Sequence, residues 1–455
     1  MRHETMATSA ATEITPAAVV FPLPLTPFEY YFLCEERPDF AGVIPIELEA
    51  TGGLDRAHFE RAFQLTHRRH PMLSARVVAR GRDWPTWVEG EAEPICYVAP
   101  ELSSDRLSST SLTCARLHVD ESAERIRFFF EFRHLAVDGL GAFQFITDLF
   151  VAYGHLCSGS EEPLPWRRVD AERLKDRDGH QLFNRRTSLT DLWRMARVHL
   201  PLSLRQAALV SEEHRVESND KAAGPAEDFL VVELSEAETS SLSRVAARHS
   251  VMLNDLLVRD YFLMLAEWNA GTSQARRPLR VMIPTNMRRR EDLRMSAANV
   301  FSYVFLTRSA RACRDREKLL TSICDEMGAV KREKRGLYYE AALRWFCYWP
   351  WFLRWSLSRE WAFATAVFTN LGTGFDHVPV RSENGRKVVG DLRFEKGAGA
   401  GPIRPGTRIS FAAHSYAGRL AIGACCDRLS LNPALRQALL DAYIRQLRTT
   451  IELET

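Results

Sequence analysis

From Val43, apolar and polar positions alternate along VIPIELEATGGL with the period of a half-buried strand, and Gly52-Gly53 ends it in a turn. The residues before it, TPFEYYFLCEE, predict a short amphipathic helix. After it, DRAHFERAFQLTHRRHPML places Phe59, Ala62, Phe63, Leu65 and Thr66 on one helical face and stops at Pro71. SARVVAR and TWVEG add strand candidates, so the chain opens as an α+β unit. RIRFFFEFRH returns to the strand period: Ile126, Phe128, Phe130, Phe132 and His134 share one face, and Arg127, Phe129, Glu131 and Arg133 the other. Asp138-Gly139 then signals a turn, and LGAFQFITDLFVAYGHL has helical apolar spacing.

From Gly159 to about Asp228 the pattern breaks into arginine-rich sequence, with SEEHRVESNDKAAGPAED reading as a linker. This divides the chain into an N-terminal half, 20–185, a linker region, 186–228, and a C-terminal half, 229–455. In the last of these FLVVEL reads as a strand. SEAETSSLSRVAARHS opens with a Ser-x-x-Glu capping box and reads as a helix; VMLNDLLVRDYFLMLAEWN reads as a second, largely buried helix and LRVMIPTN as a strand. The halves share a vocabulary of elements without an internal repeat at the level of residues.

Composition narrows the function. A chain of 455 residues, 46% of them hydrophobic, exceeds what one core serves, which favours two halves sharing a cleft. Sixty basic residues against 58 acidic ones leave a net charge of +2, so no global field invites nucleic acid. Nine cysteines without C-x-x-C spacing indicate neither zinc nor a disulfide framework and suit a reducing compartment. With no signal-type apolar core near residue 1, the expected location is cytoplasmic.

His134 continues an apolar strand face, and a neutral imidazole held there accepts a proton near neutral pH, because desolvation disfavours its charged form. By itself H-x-x-x-D also fits a core histidine followed by an ordinary Asp-Gly turn. It makes a poor metal pair, since a turn separates the two residues and no third ligand is in sight. Its company changes the reading. HLAVDG resembles the H-H-x-x-x-D-G signature of the condensation-domain and chloramphenicol-acetyltransferase-like superfamily of thioester-dependent acyltransferases, with Arg133, His134, Asp138 and Gly139 at its H, H, D and G. LDRAHFERAFQLTHRRHPMLSARVV, VMLNDLLVRDYFLMLAEW, IPTNMRRR, NVFSYVFL, FTNLGTG and HSYAGRLAIGACCD resemble other parts of that superfamily in its order, over roughly residues 25 to 450.

The resemblance implies two α/β sandwich halves with a tunnel between them. It makes His134 the general base and Asp138 a structural partner of an arginine, Arg288, with Arg289 and Arg290 adjacent. Gly139 would keep the turn tight. Asn370 and Ser302 become candidate oxyanion or tunnel donors, while His70 and His414 are read as structural. The implied reaction moves an acyl group from acyl-CoA or an acyl carrier protein to a hydroxyl acceptor, with no metal or redox cofactor. Arg133 in place of the first histidine argues against a standard peptide-forming condensation domain, although relatives with only H-x-x-x-D are active. Amide formation, or a catalytically silent module binding a carrier protein or lipid, are the rivals.

Two further stretches bear on partners. GLYYEAALRWFCYWPWFLRWSLSREWAFATAVF, 336–368, holds five of the 10 tryptophans interleaved with Arg344, Arg354 and Arg359. It reads either as core helix or as an interfacial segment for peripheral membrane contact, with a lipophilic substrate. Arg167, Arg168, Arg185 and Arg186 either meet coenzyme A phosphates or form a solvated surface.

Overall fold

The computed structural model describes residues 20–178, 204–214 and 229–454, apart from 82, 100–106, 109–110, 123 and 360, together with positions 193, 196 and 200. The first half runs β1 (Leu23–Pro24), α1 (Pro27–Glu35), β2 (Val43–Thr51), α2 (Arg56–Arg69), β3 (Arg76–Val78), β4 (Thr86–Val88), β5 (Ala115–Glu121), β6 (Ile126–Arg133) and α3 (Gly139–Cys157). The second begins with β7 (Phe229–Glu233), α4 (Glu236–Arg248), α5 (Leu253–Trp268), β8 (Leu279–Asn286), β9 (Phe301–Arg308) and α6 (Arg316–Glu333). It continues through α7 (Gly336–Cys347), α8 (Pro350–Ser358), β10 (Ala366–Gly372), β11 (Ser382–Glu383), β12 (Arg386–Val389), β13 (Leu392–Gly399), β14 (Ile409–Tyr416), β15 (Arg419–Cys426) and α9 (Pro433–Glu454).

Each half is built on a six-stranded sheet. The first has the order β11-β12-β13-β2-β6-β5 and the second β7-β15-β14-β10-β8-β9. The alternation in β2 sets the register of the first: Ile44, Ile46, Leu48 and Ala50 lie opposite Phe132, Phe130, Phe128 and Ile126 of β6. These side chains make a buried apolar face, on which Phe59 of α2 and Phe150 and Tyr153 of α3 pack around Phe128. The other face of β6 is covered too, with Phe129, Glu131 and Arg133 all buried.

Three strands of the first sheet, β11 to β13, come from the C-terminal half, so the chain crosses back over the cleft. This swap holds the mouth of the cleft together, because β13 pairs with β2, the neighbour of the histidine-bearing β6. Within the region read as linker, residues 204–214 run along the second half, where Ala207, Ala208 and Val210 are buried. The Ser235–Glu238 capping box opens α4 as its sequence pattern predicts.

Helix α1 departs from the amphipathic expectation. Phe28, Tyr30, Tyr31 and Phe32 are all buried, and so are Glu29 and Glu35. The reason is its place as a wedge between the halves. Phe28 meets Phe301, Tyr303 and Tyr339 of the second half, and its carboxylates are satisfied by buried arginines, Glu29 by Arg177 and Glu35 by Arg404.

Candidate active site

The end of β6 and the start of α3 enclose a tight turn, and its geometry follows from one carboxylate. Asp138 caps α3 by accepting from the Gly141 N–H at 2.8 Å, and it also accepts from the Val300 N–H at 2.8 Å. Arg288 closes the set as a bidentate partner, at 2.8 and 2.9 Å. Both oxygens are therefore occupied, and Asp138 has no reach left for His134. Of the three adjacent arginines it is Arg288 that makes this pair, while Arg289 turns to Asp292.

His134 is buried, its ring packed against Phe32 at 4.5 Å and Phe301 at 5.0 Å, which also stack on each other at 6.0 Å. Its Nδ1 lies 3.0 Å from the Val137 carbonyl. A carbonyl only accepts, so the neutral ring carries its proton on Nδ1 and its lone pair on Nε2. The side-chain amide of Asn299 donates to the carbonyls of His134 and Leu135, at 2.6 and 2.8 Å, and pins the turn from the second half. Burial pushes the His134 pKa below the ordinary histidine value; the Val137 carbonyl and Asp138 oppose that shift without reversing it. The ring is consequently neutral at pH 7.

His134 lines a cavity of about 150 Å³ between the halves. Ile44, Met282, Phe301, Tyr303, Val367 and Leu371 give it apolar walls. Asp138, Gly139, Leu140, Arg288 and Asn370 line it as well, so five of the residues singled out from the sequence, His134 among them, converge here. Gly139 owes its place to space more than to backbone conformation, since a Cβ there would come within 2.9 Å of Leu371. Gly141, which the sequence reading passed over, is more tightly confined: a Cβ would lie 2.5 Å from Val137 and 3.0 Å from the Ala298 carbonyl oxygen.

Ser302 does not belong to the site. Along β9, Phe301 and Tyr303 face the cavity and Ser302 faces away, donating its hydroxyl to the Gly336 carbonyl at 2.7 Å. Ser302→Ala is therefore expected to leave turnover unchanged and to cost about 1 kcal/mol of stability for a lost buried hydrogen bond, as paired kinetics and denaturant titration will measure. Asn370 stays at the cavity, its side-chain oxygen accepting from the Gly372 N–H at 2.8 Å. The first turn of α3 supplies a second source of positive potential at Gly139 and Leu140.

Arg133 points away from the cavity. It is buried against Glu36, and its guanidinium also donates to the Ser111 carbonyl at 2.9 Å. Its exchange for histidine leaves the proton-transfer side of the turn untouched. His70 bridges the halves: Nε2 meets Asp148 at 3.0 Å, and Nδ1 accepts from the Ala297 N–H at 3.0 Å, next to the loop that holds Asp138. Arg404, unseen in the sequence, lines the cavity paired with Glu35 at 2.6 and 3.0 Å. Arg167 and Arg168 are exposed, and Arg185 and Arg186 lie outside the described residues.

Two other histidines are held neutral by burial, His414 pushed down to about 4 and His67 to about 3. Both folded values lie below the usual 6.5, so the unfolded chain binds protons that the folded one refuses. Stability is expected to fall as pH drops below about 6.5, by about 1.4 kcal/mol per pH unit for each histidine, levelling only near the folded values. Urea titrations between pH 7 and pH 4 measure that slope.

No family model and no curated protein matches the chain. Solved structures do. The first condensation domain of the calcium-dependent antibiotic synthetase, in complex with a substrate analogue, is similar at a TM-score of 0.69 and 14% identity, over 95% of this chain and 98% of that one. This chain has the condensation-domain fold. A variant of the starter condensation domain of rhizomide synthetase, in complex with C8-CoA and Leu-SNAC, shares that fold at a TM-score of 0.68 and 13% identity, over 96% of each chain. Polyketide synthase associated protein 5 from Mycobacterium tuberculosis does so at 0.65 and 15%, over 94% of this chain and 98% of that one. The two sandwich halves expected from the ordered stretches are thus present, and the chemistry rests on the residues that this condensation-domain fold carries in its cleft.

Proposed function

We propose that the chain is an acyltransferase that moves an acyl group from a thioester, acyl-CoA or an acyl carrier protein, to the hydroxyl of a lipophilic acceptor. The observation that carries this is the His134 ring, with Nδ1–H committed to the Val137 carbonyl, which leaves the Nε2 lone pair free, and with the residue on the wall of the cavity between the halves. Nε2 removes the acceptor O–H proton as that oxygen attacks the thioester carbonyl carbon. The C=O pair moves onto oxygen, where the Asn370 amide and the first turn of α3 are the available donors. The oxyanion then collapses, the C–S bond breaks, and Nε2–H returns the proton to the leaving thiolate. The donor class finds support in the similar starter domain solved with C8-CoA.

Amide formation on an amine uses the same base, and the Leu-SNAC held by that similar domain keeps it as the second reading. Mass spectrometry of the product from an acyl-CoA with a mixed alcohol and amine pool separates the two. An ester supports the first reading, an amide the second, and unchanged substrates favour a silent binding module.

The outer face of 336–368 supports membrane association as part of this function. Tyr348 is 74% exposed and Trp351 70%, with Trp345, Trp349 and Trp355 beside them, Arg354 exposed on α8 and Arg359 exposed just past its end. Such a mixture of tryptophan and arginine suits the headgroup level of a bilayer. The protein is expected to float with anionic liposomes and to stay in the soluble fraction when Trp345, Trp349 and Trp351 are replaced by Ser.

A further inference from the structure

The hairpin of α7 and α8 has two sides of different kind. Its outer side carries the exposed tryptophans, while Leu337, Leu343, Leu353 and Leu357 are buried. Phe346 and Phe352 stack at 5.8 Å and join the two helices. Beneath that contact lies a second cavity, of about 590 Å³, a size typical of small-molecule sites. Its lining is mostly apolar: Ala342 and Phe346 come from α7, Phe352 and Trp355 from α8, and Trp361 and Phe363 from the chain that follows. Gln206, Ser356 and Arg359 are the polar exceptions besides two tyrosines, and Arg359 lies over the Trp355 ring at 4.6 Å.

Those tyrosines, Tyr31 and Tyr339, connect this cavity with the reaction cavity. Tyr339 stands edge-on to Tyr303 at 5.9 Å, and Tyr31 takes the Arg404 guanidinium over its ring at 5.1 Å. Tyr303 and Arg404 are themselves walls of the cavity that contains His134. Two layers of side chains, Tyr31 and Tyr339 and then Tyr303 and Arg404, therefore lie between this largely apolar cavity and the one that contains His134.

We infer that this hollow binds the unbranched alkyl chain of the lipophilic substrate, taken up through the α7–α8 hairpin on the side that faces the bilayer. The inference rests on the acyl-transfer reading for its purpose, and on the cavity and its lining for its existence. A mostly apolar lining favours an alkyl ligand over a polar one, most of whose hydrogen-bonding groups would be left unpaired. It rewards each methylene that leaves water with roughly fourfold tighter binding.

The test is a fluorescence titration of the whole protein with dibromostearate, whose bromines quench tryptophan by contact. Trp355 and Trp361 line the hollow, so saturable quenching at one equivalent is expected. Unbranched fatty acids should then displace the probe with affinities that rise roughly fourfold per methylene until the hollow is full. Ala342→Phe and Ser356→Phe, which plug it from α7 and α8 respectively, should each weaken binding at least tenfold while the melting curve stays cooperative. Quenching without saturation, or a displacement series with no chain-length dependence, overturns the inference from the wild-type protein alone. Folded plug variants that bind as tightly as wild type overturn it too. Saturable binding in a protein that transfers no acyl group would retain this site and remove the proposed function. Transfer without saturable binding would do the reverse.

Discussion

Asp138→Ala is expected to destabilise the fold by about 3–5 kcal/mol, the usual consequence of leaving one member of a buried ion pair alone. Arg288 loses its bidentate carboxylate partner, at 2.8 and 2.9 Å, in a setting where little water can replace it. Two backbone donors, the N–H groups of Gly141 and Val300, lose their acceptor at the same time. Asp138→Asn separates these contributions, because an amide oxygen still caps α3 while the charge is gone. It should fall between wild type and Asp138→Ala. Arg288→Ala should cost about as much as Asp138→Ala, and the double variant less than the sum of the two, since the pair acts as a unit. Denaturant titrations of the four proteins measure this. An additive double variant would mean that the ion pair does not couple the halves.

Replacing His134 by Ala is expected to lower kcat/KM by about two to four orders of magnitude, the usual contribution of a general base. The pH profile gives the sharper signature. The rate requires the unprotonated ring, so it falls as pH drops through the His134 pKa and is flat above it. Because burial, with Phe32 and Phe301 against the ring, lowers that pKa below the ordinary 6.5, the acid limb should lie at lower pH than for an exposed histidine. His134→Ala should lose that limb altogether. Phe32→Ala admits water to the ring and should move the limb toward 6.5. A limb that persists in His134→Ala would assign the base elsewhere.

The strand, turn and helix around His134 were readable from local pattern, whereas the roles given to His134, Asp138 and Arg288 came from the resemblance. Alternation in β2 and β6, the Asp-Gly turn and the apolar spacing of α3 are properties of a few consecutive residues, and they place His134 and Asp138 correctly. What escaped was set by contacts distant in sequence. Ser302 was misjudged because the facing of β9 depends on its pairing with β8, which puts Phe301 and Tyr303 on the cavity side. The Glu35–Arg404 pair spans 369 positions and leaves no local trace. Helix α1 looked amphipathic because its two glutamates read as solvent-facing, whereas distant arginines allow them to be buried. Asn299 had the same difficulty, standing at the head of NVFSYVFL with nothing nearby to show that its amide would clamp the backbone of His134.

The most direct test is acceptor-dependent release of free thiol from long-chain acyl-CoA, with wild type and His134→Ala run side by side at neutral pH. The predicted result is release by wild type that requires a lipophilic alcohol and drops by about two to four orders of magnitude in the variant. Equal release by the two proteins would contradict His134 as the base.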